Sequence, residues 1–122
     1  MKTYVKINDN LYEATISGRL HDEDWDNRAS KAIKAMMSYQ DAITLFNTDK
    51  KWSIVQDVEE FEEIFDVETE EFIVKPVIKQ EEYDNSEYSI AGDIIDHRNG
   101  YVTIKMGKPT AEEILAMLEE VF

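Results

Sequence analysis

Residues 57–71 read Asp57-Val58-Glu59-Glu60-Phe61-Glu62-Glu63-Ile64-Phe65-Asp66-Val67-Glu68-Thr69-Glu70-Glu71, and the reading of this stretch sets the architecture of the middle of the chain. Val58, Phe61, Ile64 and Phe65 recur at helical spacing, and Asp57 followed by Glu60 resembles a capped start, so the spacing predicts a helix over 57–65. In that helix the four apolar residues turn inward and Glu59, Glu60, Glu62 and Glu63 face out. Nine of the fifteen residues are acids: Asp57, Glu59, Glu60, Glu62, Glu63, Asp66, Glu68, Glu70 and Glu71. No base occurs between Trp52 and Val74. Like charges at this spacing weaken a helix by about 0.2–0.5 kcal/mol per pair, so the arrangement costs stability.

Working outward, most of the remaining chain has strand character. Thr3 to Ile7 and Leu11 to Ser17 alternate apolar and polar residues around Asn8-Asp9-Asn10, a β-hairpin that Gly18 ends. His21 to Asn27 reads as a polar loop holding Trp25. Ser30 to Met37 reads as a strand with Ile33, Ala35 and Met37 on one face, although its alanines also suit a helix. Ser38 with Asp41 is cap-like and precedes Tyr39, Ala42, Leu45 and Phe46 at helical spacing, and Trp52 to Gln56 is a short strand. Phe72 to Lys79 is β-branched and apolar, with Pro76 pointing to an edge strand. Tyr88 to Ile95 and Tyr101 to Met106 flank Asp96-His97-Arg98-Asn99-Gly100, a further hairpin. Gly107-Lys108-Pro109 stops that strand, and Thr110 with Glu113 forms a capping box. Ala111, Ile114, Leu115, Leu118 and Phe122 then make one apolar stripe, expected to pack on the sheet. The expected fold is α+β: a single domain over residues 1–122, with a mostly antiparallel sheet of about six or seven strands and two or three helices.

Composition narrows the function. With 122 residues, 43% hydrophobic and 33% charged, the chain has the make-up of a folded domain and not of a disordered one. It has no cysteine, hence no disulfide, thiolate metal site or cysteine nucleophile. The first residues lack a signal-peptide run and nothing approaches the ~20 apolar residues of a membrane span, so the expected location is the cytoplasm. Twenty-seven acids against thirteen bases give a net charge of −14. Solubility in a small domain needs a magnitude of only about 2–8. A field of this sign repels nucleic acid and anionic membranes and speeds encounter with basic protein surfaces.

The residues of chemistry are sparse. His21 lies in His21-Asp22-Glu23-Asp24, and His97 follows Asp96 with Asp93 nearby, so two loops could converge on one zinc ion, yet neither run has a specific ligand spacing. Such histidines are ordinarily solvated turns, and neither a metal nor a cofactor is expected. Phosphate-binding, dinucleotide, serine-hydrolase and zinc-protease signatures are all missing, and the acids come in runs and not as one buried pair, so catalysis is not expected. With Glu81, Glu82, Asp84 and Glu87, and with Asp22, Glu23, Asp24 and Asp26, the tract at 57–71 brings seventeen acids into three groups. Duplex DNA carries one phosphate charge per ~1.7 Å of axis, and carboxylates on a rigid small domain can offer a comparable density to a protein built to grip DNA. The plainer alternative is that these runs only keep the protein soluble.

Several stretches carry a resemblance. Tyr12-Glu13-Ala14-Thr15-Ile16-Ser17-Gly18, Asp24-Trp25-Asp26-Asn27-Arg28, Trp52-Ser53-Ile54-Val55, Tyr83 to Gly100 and Lys105-Met106-Gly107-Lys108-Pro109-Thr110 are similar to a family of small prophage proteins of Gram-positive bacteria. The likeness covers most of the chain apart from the acidic middle. It implies phage origin, and with it either a virion or assembly part encoded near tail genes or an accessory protein directed against host defence. The leading expectation is therefore a phage-encoded inhibitor of the anti-CRISPR or anti-restriction kind. It would act in the host cytoplasm, binding the basic surface of a nucleic-acid-handling nuclease through the acidic face at 57–71. The alternative is a phage tail or baseplate component.

Overall fold

In a computed structural model the chain is α+β, one seven-stranded antiparallel sheet with two helices. The structure describes residues 2–121, and of residues 120 and 121 only the backbone. Strands β1 (Thr3–Ile7) and β2 (Asn10–Asp22) are joined by the two-residue turn Asn8-Asp9, both at positive φ (52° and 64°), the backbone that matches the twist of a tight hairpin. β2 does not end at Gly18: it runs on to Asp22 through a register shift, and a 3-10 turn at Glu23–Trp25 leads into β3 (Arg28–Met36). Helix α1 (Tyr39–Leu45) begins where expected, the Ser38 hydroxyl accepting from Asp41 N–H at 3.1 Å. β4 (Ser53–Asp66), β5 (Glu71–Asp84), β6 (Ile90–Asp96) and β7 (Tyr101–Gly107) follow, then α2 (Ala111–Val121). The spatial order is β5-β4-β1-β2-β3-β7-β6.

The core forms on one face of this sheet. Ile16, Ile33, Ile104 and Ile94 stand in register across β2, β3, β7 and β6, with Ala14, Ala35 and Val102 alongside. Ile33, Ala35 and Ile104 are fully buried, in one cluster with Ala42 of α1, Phe46 just past its end, and Trp52. Trp52 meets Phe46 edge to face at 6.3 Å, and its indole N–H donates to the Tyr88 carbonyl at 3.1 Å. No helix of the described residues is long and apolar enough to cross a membrane.

Residues from 24–28, 83–100 and 105–110 meet at one corner. The Trp25 ring lies over Gly92 and Gly107; a Cβ on Gly92 would fall 2.7 Å from that ring, closer than any side chain tolerates. Arg28 stacks on Trp25 (4.8 Å), donates to the Trp25 and Lys108 carbonyls, and pairs with Glu113 at 2.8 Å. Beside them Asp22, read from the sequence as part of a polar loop, is wholly buried. It accepts from the Ser30 hydroxyl and the Asp24 N–H and pairs with the Lys105 ammonium at 2.6 Å. Lys105 above all, with Ser30 and Asp24, holds the Asp22 carboxyl below its ordinary range against the opposing effect of burial.

Two further expectations are overturned. Residues 57–65 are strand, not helix, for reasons given below. The capping box of α2 is present, Glu113 N–H donating to the Thr110 hydroxyl and Thr110 N–H to the Glu113 carboxylate, but the stripe does not pack on the sheet. Ile114, Leu115 and Leu118 are each about half exposed; among the described residues α2 is tied to the body at its first turn by Arg28–Glu113, and the chain just before it by Lys108 N–H to the Ala29 carbonyl. Phe122, the last residue of that stripe, lies outside the described residues.

Urea denaturation separates these positions. Ile33→Ala should cost about 2–5 kcal/mol, as large-to-small core changes do, and Leu118→Ala no more than about 0.5 kcal/mol. A large cost at Leu118 would mean that the helix does pack. Because the folded pKa of Asp22 is depressed, its contribution to stability is complete above the ordinary carboxylate range and is lost as pH falls through it. Asp22→Asn should therefore lower the midpoint at neutral pH and shrink the further loss between about pH 5 and about pH 2. An unchanged acid slope would show that Asp22 does not titrate with folding.

Candidate protein-docking arm

The nine acids singled out in the sequence lie on a two-stranded arm. β4 and β5 pair without a break through fourteen residues each, from Ser53–Asp84 at the root to Asp66–Glu71 at the tip. β1, the neighbour of β4 on its other side, has only five residues and reaches Gln56. Its ladder closes with Asp57 N–H donating to the Lys2 carbonyl at 2.9 Å. Beyond that point β4 has β5 for its one partner among the described residues, and the ribbon extends about 30 Å at the usual rise of ~3.3 Å per residue.

Root and tip are fixed by different means. At the root Ile54 and Val55 are buried, Trp52 ties the strand to α1, and Lys6 pairs with Glu82 at 2.8 Å. At the tip Phe65 and Phe72 stand opposite each other and meet edge to face at 5.3 Å, a cross-strand contact that favours this register. The turn between them is closed by Asp66, whose carboxylate accepts from Glu68 N–H at 2.9 Å, with Glu70 at positive φ (55°).

Strand geometry redistributes the predicted site. Alternation puts Glu59, Phe61, Glu63 and Phe65 on one face and Val58, Glu60, Glu62 and Ile64 on the other. The expected single face of Glu59, Glu60, Glu62 and Glu63 is thus split in two. Asp57 stands at the root, Asp66 and Glu71 pair at the tip, and Glu68 and Glu70 sit in the turn. The strand also answers the repulsion that a helix would suffer. Lys79 of β5 pairs with Glu60 at 3.1 Å and Glu62 at 3.3 Å, and these two acceptors hold its ammonium above the ordinary lysine range. No base could stand between those glutamates within a helix of 57–65, which contains none.

The inward apolar face of the expected helix is likewise absent. Phe61 is 69% exposed, Phe72 67% and Ile78 66%, with Phe65 and Val74 at half or more. In the register these residues, with Pro76 opposite Phe61, share one face of the ribbon. Sequence reading missed this surface because it took Phe61 and Phe65 for core. The available signal was Phe72 to Ile78, a β-branched and aromatic run that needs a partner strand of similar length, which 57–66 supplies.

The other candidates do not gather into a site. His21 is in β2, whereas His97 lies between β6 and β7 with its ring bonded to the Thr103 hydroxyl at 2.7 Å. Among the described residues no three His, Asp or Glu side chains converge as a metal would require. The concavity bordered by Lys2, Glu13 and Lys34 and the one bordered by His21, Arg28 and Glu113 are open grooves. Compared with protein families, curated proteins and solved structures, the chain matches none.

A hairpin supported only by its own ladder opens more readily than a packed sheet. Amides of β4 and β5 beyond Asp57 and Gln80 should therefore exchange with deuterium at least about a hundredfold faster than those of β3 and β7. Equal protection along β4 would mean that the arm is covered in solution.

Proposed function

We propose that this chain is a non-enzymatic docking protein that seats its arm against another protein. In the phage setting that the resemblance implies, this makes it a tail or baseplate component or an assembly factor, working in the cytoplasm of the host cell. One observation carries the reading: the arm holds five large apolar side chains, each at least half exposed, on one face of a ribbon that nothing covers among the described residues. Contiguous apolar surface of this kind marks interaction sites, and an unsupported ribbon is marginal until something covers it. The exposed stripe of α2 (Ile114, Leu115, Leu118) supports the same reading from a second place.

An inhibitor of a nucleic-acid-handling defence protein, anti-CRISPR or anti-restriction in kind, is the second reading. It draws on the net charge of −14 and on the tip, where Asp66, Glu68, Glu70 and Glu71 surround the turn. The two readings differ in which side chains they need. Docking requires the apolar face, whereas charge mimicry requires the carboxylates and tolerates polar residues between them.

Phe61→Ser combined with Ile78→Ser removes two large apolar side chains from the exposed face and leaves the Phe65–Phe72 pair in place. Under the docking reading melting changes by no more than about 0.5 kcal/mol, the usual span of surface substitutions, while cross-linking to the partner in phage-producing cells falls about tenfold. A doubly substituted protein that captures the same partner undiminished sinks the docking reading and favours the charge-based one.

A further inference from the structure

The two long edges of the arm differ in chemistry. Along β5, Pro76 has no donor to offer and Lys75 and Lys79 flank it, features that blunt an edge against further pairing. Along β4, from Glu59 to Asp66, no proline or lysine intervenes. Among the described residues no strand covers it, since β1 stops at the bond between Lys2 and Asp57. A strand laid here would continue the ladder that β1 begins, with the main chain supplying affinity and alternate side chains supplying choice.

The side chains on β4 specify that strand. On one face Glu59, Phe61, Glu63 and Phe65 follow in order, and the β5 residues across from them are apolar. Neither Glu59 nor Glu63 makes an ion pair among the described residues, whereas Glu60 and Glu62 on the opposite face already share Lys79. The complement is a strand whose residues on that face alternate base, apolar, base, apolar. A second β4 does not fit: it would set glutamates beside glutamates, which destabilises a sheet, and would bring together two molecules of charge −14.

We infer that the β4 edge from Glu59 to Asp66 takes up, by strand addition, an extended segment of a partner protein with lysine or arginine at positions four apart and apolar residues between and beyond them. This rests on the docking reading and adds its mode and chemistry.

The probe is a short capped peptide with two lysines four residues apart, valine midway between them and beyond, and threonine at the intervening positions. It is titrated into the full chain and followed by fluorescence anisotropy and amide exchange. Expected are saturable binding, slowed exchange over 59–66 and no change along β6. The paired substitution E59Q/E63Q should weaken binding about tenfold or more, and E60Q/E62Q less than about threefold. The same peptide N-methylated at alternate amides should not bind. Circular dichroism checks that each variant is folded. Absence of saturable binding, equal binding of the N-methylated peptide, or unchanged affinity of E59Q/E63Q overturns the inference. So does an arm-dependent dimer in sedimentation, which would make a second copy the occupant. If the lysine peptide fails while the double serine variant still loses its partner, docking stands and the partner meets the flat face of the arm, not its edge.

Discussion

A five-residue strand lies beside a fourteen-residue one, and most of what is distinctive in this molecule follows from that difference in length. β1 can satisfy the backbone of β4 only as far as Asp57. Past that point β4 and β5 must satisfy each other, and whatever side chains they carry are left without a layer to pack on. Ala42 of α1 and Phe46, just past its end, belong to the core cluster with Ile33, Val102 and Ile104.

The body that carries the arm is held by a second kind of constraint. Trp25 needs two glycines to lie flat, Gly92 in the irregular stretch of β6 and Gly107 at the end of β7, and Arg28 then stacks on its ring and reaches Lys108 and Glu113. Asp22 makes this corner specific, because a buried carboxylate is tolerable only with its donors in place, and Lys105, Ser30 and Asp24 provide them. The segments of sequence that read most distinctively therefore build the scaffold, while the segment at 57–71 builds the protruding arm.

Much of the fold was legible from local signals. The Asn8-Asp9 turn, the Ser38 cap, the Thr110–Glu113 box and the turn before Tyr101 each act over a few residues, so a linear reading finds them. The arm was illegible for a physical reason. Val58, Phe61, Ile64 and Phe65 fit a 3.6-residue period, and what overrides that period is pairing with residues 71–80 across a turn, which spacing within 57–65 cannot report. α2 shows the reverse failure: its amphipathic pattern was read correctly, but periodicity says which residues share a face, not whether anything covers that face. The acids of 59–63 were expected on one surface and stand on two, since a period of two divides what a period of 3.6 unites.

The glutamates of the arm also bear on how such a surface can exist in a crowded cell. A bare ribbon displaying phenylalanine, valine and isoleucine has the make-up of a segment that stacks into fibrils. Glu59 and Glu63 interrupt the aromatic row of β4 at every second same-face position, and Pro76 interrupts the row opposite. Charges and prolines at such positions are the gatekeepers that disfavour the stacking of exposed apolar strands. Repulsion of this kind opposes stacking without covering the apolar face, which gives part of the net charge of −14 a physical role beyond solubility.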